Sequence, residues 1–326
     1  MKRLWRNLLR LGVPVGLGIF LYQVWASVSY LQSQAVFDLR STLLLKAMGA
    51  TLIAYLLQMG GWMLIMRRLG IVLSPLEVIH GYTFSFLPRY IPGSVWGYLG
   101  RSQWLAQRHN VSYPISTLGS LLEAGYLILT SLLVGGSYLL TSPFAIGHGA
   151  SMGLNLVGLG IGFLLIVGYA VWQFGPRLLL SPKGLFAQFD AMPSLSFMSL
   201  RKSIYVFGAV IASYIGLWFL QGWATMWAAQ AIGSTEITWA EATSATSLAW
   251  TMGFIVLFVP AGLGVREASL VTFLQWFGIS VIGSANLIAT ATRIVLFGTE
   301  LLWLTASGVV YLLSKGNGYY FKTLGK

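Results

Sequence analysis

The chain has 326 residues, 56% of them hydrophobic and 9% charged, with a formal net charge of +12 and no cysteine. That balance excludes an ordinary soluble domain, and the missing cysteine excludes disulfides and thiolate metal sites. The positive charge is not a nucleic-acid signature, because Lys and Arg fall in short clusters between apolar runs, as in cytoplasmic loops facing anionic lipid.

About 20 apolar residues cross the hydrocarbon layer, so spans can be read in chain order. Leu11–Leu31 follows Lys2, Arg3, Arg6 and Arg10. It is too long for a signal-peptide core and lacks a small-residue cleavage site, so it reads as a retained first helix. Ala47–Met66 is the second span. Ser116–Leu140, which contains Glu123, is the third. Ser151–Phe174 and Ser203–Ile232 are the fourth and fifth. Ser284–Leu313, with Arg293 and Glu300, is the last.

Two regions do not read as simple spans. Residues 75–105 and 240–277 each carry a proline–glycine break and an arginine inside an apolar stretch: LPRYIPGSVWGYLGR and VPAGLGVRE. Arginine at the bilayer centre costs about 2.5–3.5 kcal/mol on insertion scales, and broken helices free backbone groups that lipid cannot satisfy. Accepting both costs at two matching places points to a polar site lined by broken helices. The crossings number six plus two re-entrant hairpins, or as many as ten.

Fifteen of the 20 Lys and Arg fall on one side when the N-terminus is cytoplasmic. They group as Lys2, Arg3, Arg6, Arg10; Arg67, Arg68, Arg101, Arg108; Arg177, Lys183, Arg201, Lys202; and Lys315, Lys322, Lys326. The bias predicts both termini inside, with Gly147–Ser151 and Ser234–Glu236 outside. Arg89, Arg266 and Arg293 remain at membrane depth. One half then starts outside and the other inside.

The expected fold is an all-α polytopic membrane protein built of two inverted repeats, each with a broken re-entrant helical hairpin. The expected organisation is an N-terminal helix (1–40), repeat 1 (41–145), a linking helix and cytoplasmic loop (146–202), repeat 2 (203–314) and a cytoplasmic tail (315–326).

The charged residues at the breaks are the candidate site. Arg266 beside Gly262 and Gly264 has a fork suited to phosphate, or to an ion pair with Glu267. Arg89 fits either headgroup contact or snorkelling. Glu123 and Arg293 occupy corresponding helices; pairing across the halves would neutralise both, either as a structural contact or as a gate. Glu300, seven residues beyond Arg293, shares its helix face. Arg101 reads as interfacial, with headgroup capture open to it. Tyr90, Trp96 and Tyr98 flank the first break, where they suit a sugar or acyl path. Leu185, Phe186 and Phe189, beside Lys183, suggest a surface-lying helix.

Catalytic signals are absent from the sequence. Asp38 and Asp190 fall on opposite sides, and His80, His109 and His148 are scattered. Glu236 and Glu241 suit capping of a helix start. No phosphate-binding loop lies in a strand–helix context. Neither a cofactor nor a metal is expected.

These residues also resemble the flippase-like transmembrane domain of lysylphosphatidylglycerol synthases, which occurs as stand-alone membrane proteins too. The likeness covers most of the chain. Pro92, Gly93 and Arg101 match the first motif. Pro260, Gly262, Gly264, Arg266 and Glu267 match the second, and Glu123 and Arg293 match charged residues in the helices that follow. Ala261 replaces the usual glycine, and Tyr98 stands near where many members carry an acid. The resemblance implies lipid-headgroup movement between leaflets of a bacterial or archaeal plasma membrane, with a membrane lipid or lipid-linked saccharide as partner. The loop Gly175–Lys202 is too short for an aminoacyl-transferase domain, so synthase activity is not expected. An integral membrane transferase acting on a lipid-phosphate, an ion-coupled small-solute transporter, and a structural partner of a glycosyltransferase stay open as alternatives.

Overall fold

The computed structural model describes residues 2–33, 39–91, 96–109, 111–141, 169, 200–234, 237–256, 259–279 and 281–316. Pro92, Gly93, all of the fourth span Ser151–Phe174 except Tyr169, and the loop residues Leu185, Phe186 and Phe189 lie outside them. The described residues form helices and turns only.

The helices are α1 (Lys2–Ser33), α2 (Ser41–Arg68), α3 (Pro75–Phe84), α4 (Trp96–His109), α5 (Tyr113–Thr141), α6 (Leu200–Ala231), α7 (Trp239–Ile255), α8 (Val265–Trp276) and α9 (Ile282–Gly316). Among them α2, α5, α6 and α9 are long and apolar enough to cross a membrane. Each coincides with a span expected from sequence and overshoots it at one or both ends. At 1.5 Å per residue, the 28 residues of α2 reach about 42 Å, beyond a hydrocarbon core of about 30 Å. Hydropathy finds the apolar middle, and the helix continues into the interface.

The order long helix, short helix, break, short helix, long helix occurs twice, over α2–α5 and α6–α9. Both units start their short helices the same way. Ser74 accepts from the Glu77 N–H, and the Glu77 carboxylate accepts from the Ser74 N–H at 2.8 Å. Thr238 and Glu241 repeat the arrangement, also with a 2.8 Å bond. These reciprocal caps satisfy first-turn amides that lipid would leave bare. They also confirm Glu241 as a capping residue.

The central contact is between α2 and α6. Small residues let the two backbones approach: Ala47, Ala50 and Ala54 on one side, Ala224 and Ala228 on the other, all buried. Gly61 belongs to the same seam, since a Cβ there would sit 2.6 Å from the Tyr214 ring. Without a hydrophobic drive between helices in lipid, such close packing supplies the association. Buried threonines return their hydroxyls to the preceding turn, as Thr51 does to the Ala47 carbonyl at 2.9 Å and Thr299 to Val295 at 2.7 Å.

Both break regions are pairs of short helices joined by an interruption. A 3₁₀ turn, Pro88–Tyr90, follows α3, and another, Pro260–Gly262, follows α7. Each begins with proline, which needs no N–H there. The two turns pack against each other. Around them α4 lies on α5, α8 on α9, α3 on α9, and α7 on α5. The turns of the two breaks therefore meet, each beside its own pair of short helices.

Candidate functional site

A cavity of about 110 Å³ lies where the breaks meet. Its wall takes Tyr55 and Gln58 from α2, Tyr82 from α3, and Arg89 and Tyr90 from the first turn. It continues with Tyr98 and Arg101 of α4, Gln221 of α6, and Trp250 and Phe254 of α7. Ala261, Arg266 of α8, and Arg293 and Glu300 of α9 complete it.

Glycines let the backbones come this close. A Cβ on Gly97 would lie 2.9 Å from the Ser85 carbonyl oxygen and 3.3 Å from the Arg89 Cβ. In the second half, a Cβ on Gly253 would lie 2.9 Å from the Arg266 Cβ. Gly262, with φ +66°, rests on the Gly253 backbone. Each half thus uses a glycine to seat its break arginine against a helix.

Three carboxylates anchor the wall, and each is already engaged. Glu300 accepts from the Tyr55 hydroxyl at 2.7 Å, from Arg89 Nη1 at 2.9 Å and from the Tyr90 hydroxyl at 2.8 Å. Behind the wall, Glu123 accepts from the Tyr82 hydroxyl at 2.5 Å and pairs with Arg101. The Arg101 guanidinium also lies 4.3 Å from the Trp62 ring centre and 4.5 Å from that of Tyr82, within cation–π range. Glu267 accepts from the Gly264 N–H at 2.6 Å, where a glycine N-cap has no side chain to return the bond, and pairs with Arg293 at 3.0 Å.

The two pairs repeat with their charges exchanged. Arg101 on α4 meets Glu123 on α5, while Glu267 on α8 meets Arg293 on α9. They differ in quality. Glu267 Oε1 and Arg293 Nε and Nη2 are buried with no aligned hydrogen bond among the described residues. Arg266 lines the cavity and, among the described residues, makes neither an ion pair nor a hydrogen bond. Four guanidiniums (Arg89, Arg101, Arg266, Arg293) stand against three carboxylates (Glu123, Glu267, Glu300), leaving an excess of +1.

Of the residues singled out in the sequence, Arg89, Tyr90, Tyr98, Arg101, Arg266, Arg293 and Glu300 line this cavity. Pro260, Gly262 and Gly264 form the second break, Gly264 as the N-cap of α8 with φ +79°. Four expectations are corrected. Glu123 does not pair with Arg293, because each finds its partner on the neighbouring helix of its own half. Arg266 does not pair with Glu267, since consecutive helical residues do not face each other. Arg101 is not interfacial but 1% exposed, because α4 turns it onto α5. Trp96, at the start of α4, is 45% exposed and takes no part in the cavity wall. Gln58 and Gln221 escaped the sequence reading, although an amide inside an apolar span is itself a signal of a polar site.

The family model for the lysylphosphatidylglycerol synthase TM region matches residues 7–303. The chain belongs to this family. With its four long apolar helices, it is an integral membrane protein of a family connected with lipid. No curated protein matches the chain, and no solved structure does.

Proposed function

We propose that this member of the family is a flippase-like transporter, moving the headgroup of a phospholipid or a polyprenyl-phosphate-linked sugar between leaflets through the cavity. The observation that carries the proposal is Arg266, a cation lining the cavity that makes neither an ion pair nor a hydrogen bond among the described residues. An unmatched charge in a low-dielectric site is costly unless a ligand compensates it. The repeated element order and charge-exchanged ion pairs support two inverted halves with re-entrant hairpins, the architecture of alternating access. Engagement of every cavity carboxylate favours transport over transferase chemistry, which needs a free acid or base.

Fluorescent-lipid translocation in proteoliposomes tests the proposal. Arg266→Lys is expected to lower transport by about tenfold with thermal stability unchanged, because lysine keeps the charge but loses the planar two-donor fork. Full transport at wild-type stability would show that bidentate headgroup binding by Arg266 is wrong.

The proposed orientation has both termini in the cytoplasm. The chain has no native cysteine, so introduced ones report cleanly. Val281, 50% exposed between α8 and α9, and Val72, 79% exposed between α2 and α3, are suitable positions. An impermeant thiol reagent added outside intact cells should label Val281→Cys and spare Val72→Cys. The reverse pattern would invert the topology.

A further inference from the structure

Resting on the transporter reading and the proposed orientation, we infer that two contacts between the halves are the gates of the cavity. The outer gate is α5 against α7, and the cytoplasmic gate is α3 against α9. Ser131, Ser244, Ser247 and Thr251 hold the first; His80, Thr83 and Ser307 hold the second.

The repeated element order makes α2 equivalent to α6, α3 to α7 and α5 to α9. Contacts between the halves follow that equivalence. α2 packs on α6, its own counterpart, so their seam lies at the axis relating the halves. α3 packs on α9 and α7 on α5, an exchanged pair on either side of that axis. Rocking about the α2–α6 seam therefore parts one contact as it closes the other. α7 begins beside Ser234–Glu236, which the orientation puts outside, and α3 follows Arg67 and Arg68, which it puts inside.

Both contacts are joined by hydroxyls. On α5, Ser131 donates to the Ser247 carbonyl of α7 at 2.7 Å, and its oxygen lies 2.5 Å from the Thr251 hydroxyl. Ser244 of α7 donates to the Gly135 carbonyl at 2.8 Å. Gly135 allows this approach, since a Cβ there would lie 2.6 Å from Leu248 Cγ. At the other contact, the Thr83 hydroxyl of α3 donates to Ser307 Oγ of α9 at 2.9 Å, and His80 Nδ1 lies 2.6 Å from the same oxygen. Neutral hydroxyl bonds part at less cost than buried ion pairs. The pairs Arg101–Glu123 and Glu267–Arg293 each join helices of one half, so opening a gate breaks neither. Arg89–Glu300 does join the halves, but in the cavity wall and not at either gate.

The test uses cysteine pairs in the full-length protein, which has no native cysteine. Ser131→Cys with Thr251→Cys locks the outer gate, and Thr83→Cys with Ser307→Cys the cytoplasmic one. Thr225→Cys with Thr246→Cys is the control, because those hydroxyls lie 2.8 Å apart on α6 and α7 of the same half. All three pairs start close enough for a disulfide. The first readout is translocation of nitrobenzoxadiazole-labelled phosphatidylglycerol in proteoliposomes. Oxidation should lower transport at least about tenfold in either gate pair, since a disulfide outweighs the balance of open and closed states. Reductant should restore it, and the oxidised control pair should transport like the parent. The second readout is access to Gln221→Cys in the cavity wall, added to each pair. With the outer gate locked, an impermeant thiol reagent should label it only from the cytoplasmic side; with the cytoplasmic gate locked, only from outside. Full transport by an oxidised gate pair overturns the gates and leaves lipid transport standing. Loss of transport in the oxidised control also overturns them, since α7 would then move within its own half. A gate pair that fails to cross-link shows that its helices do not meet. A parent that moves no lipid overturns the transport reading, and the labelling pattern still decides whether these contacts control access.

Discussion

Replacing Glu123 by leucine is expected to destabilise the protein by about 3–5 kcal/mol, the usual cost of leaving one member of a buried ion pair alone. Arg101 is 1% exposed and packed among Trp62, Tyr82 and Tyr98, so the orphaned charge would be poorly solvated. The Tyr82 hydroxyl would lose its acceptor too. Arg101→Met should cost a similar amount by stranding the carboxylate. The double variant should recover most of the loss, because two apolar side chains leave no charge unpaired. Thermal unfolding in detergent reads all three proteins. Simple additivity of the single losses would mean that Arg101 and Glu123 are not held as a pair.

The parts of this fold that lipid dictates were legible in the sequence. An unbroken apolar run of about 20 residues reads as a helix, since the other structure that satisfies its backbone in hydrocarbon, a closed barrel, uses strands of about 10. So α2, α5, α6 and α9 could be placed before their packing was known. The breaks were legible for the same reason, because proline and glycine beside arginine are tolerated at depth only around a polar site. What stayed hidden was partner choice. Glu123 and Arg293 occupy corresponding helices, and their opposite charges invited a pair across the halves. Packing of α4 on α5 and of α8 on α9 gave each a nearer partner instead. Pattern gives the period of a helix but not which neighbour its face meets. Arg101 looked interfacial because it closes an apolar hairpin in sequence, and only the return of α4 against α5 buries it. For Arg266 the sequence left two partners open, a phosphate or Glu267. In the fold Glu267 belongs to Arg293, so replacing Arg266 strands no carboxylate. That separation makes Arg266 variants readable as tests of binding and not of folding.

The second break should respond in opposite directions to two adjacent substitutions. Gly262→Ala is expected to destabilise by about 3 kcal/mol, from left-handed backbone strain and overpacking together. Its φ of +66° disfavours a side chain, and the new Cβ would lie 2.8 Å from the Gly253 Cα and carbonyl oxygen. Those are backbone atoms of α7, so no side-chain rotation relieves the contact. Any shift would also move Arg266, which packs on the same glycine. Transport should therefore fall with stability. Ala261 already has φ +48° and carries its Cβ in the left-handed region. That conformation costs an L-residue about 1–2 kcal/mol, against about 0.5–1 kcal/mol of extra chain entropy for glycine. Ala261→Gly should thus hold or slightly raise the unfolding temperature while keeping transport. Unfolding temperatures and lipid translocation measured on the two variants side by side decide the matter. If Gly262→Ala is as stable and active as the parent, the close crossing of the second break over α7 does not exist, and Arg266 is not seated by it.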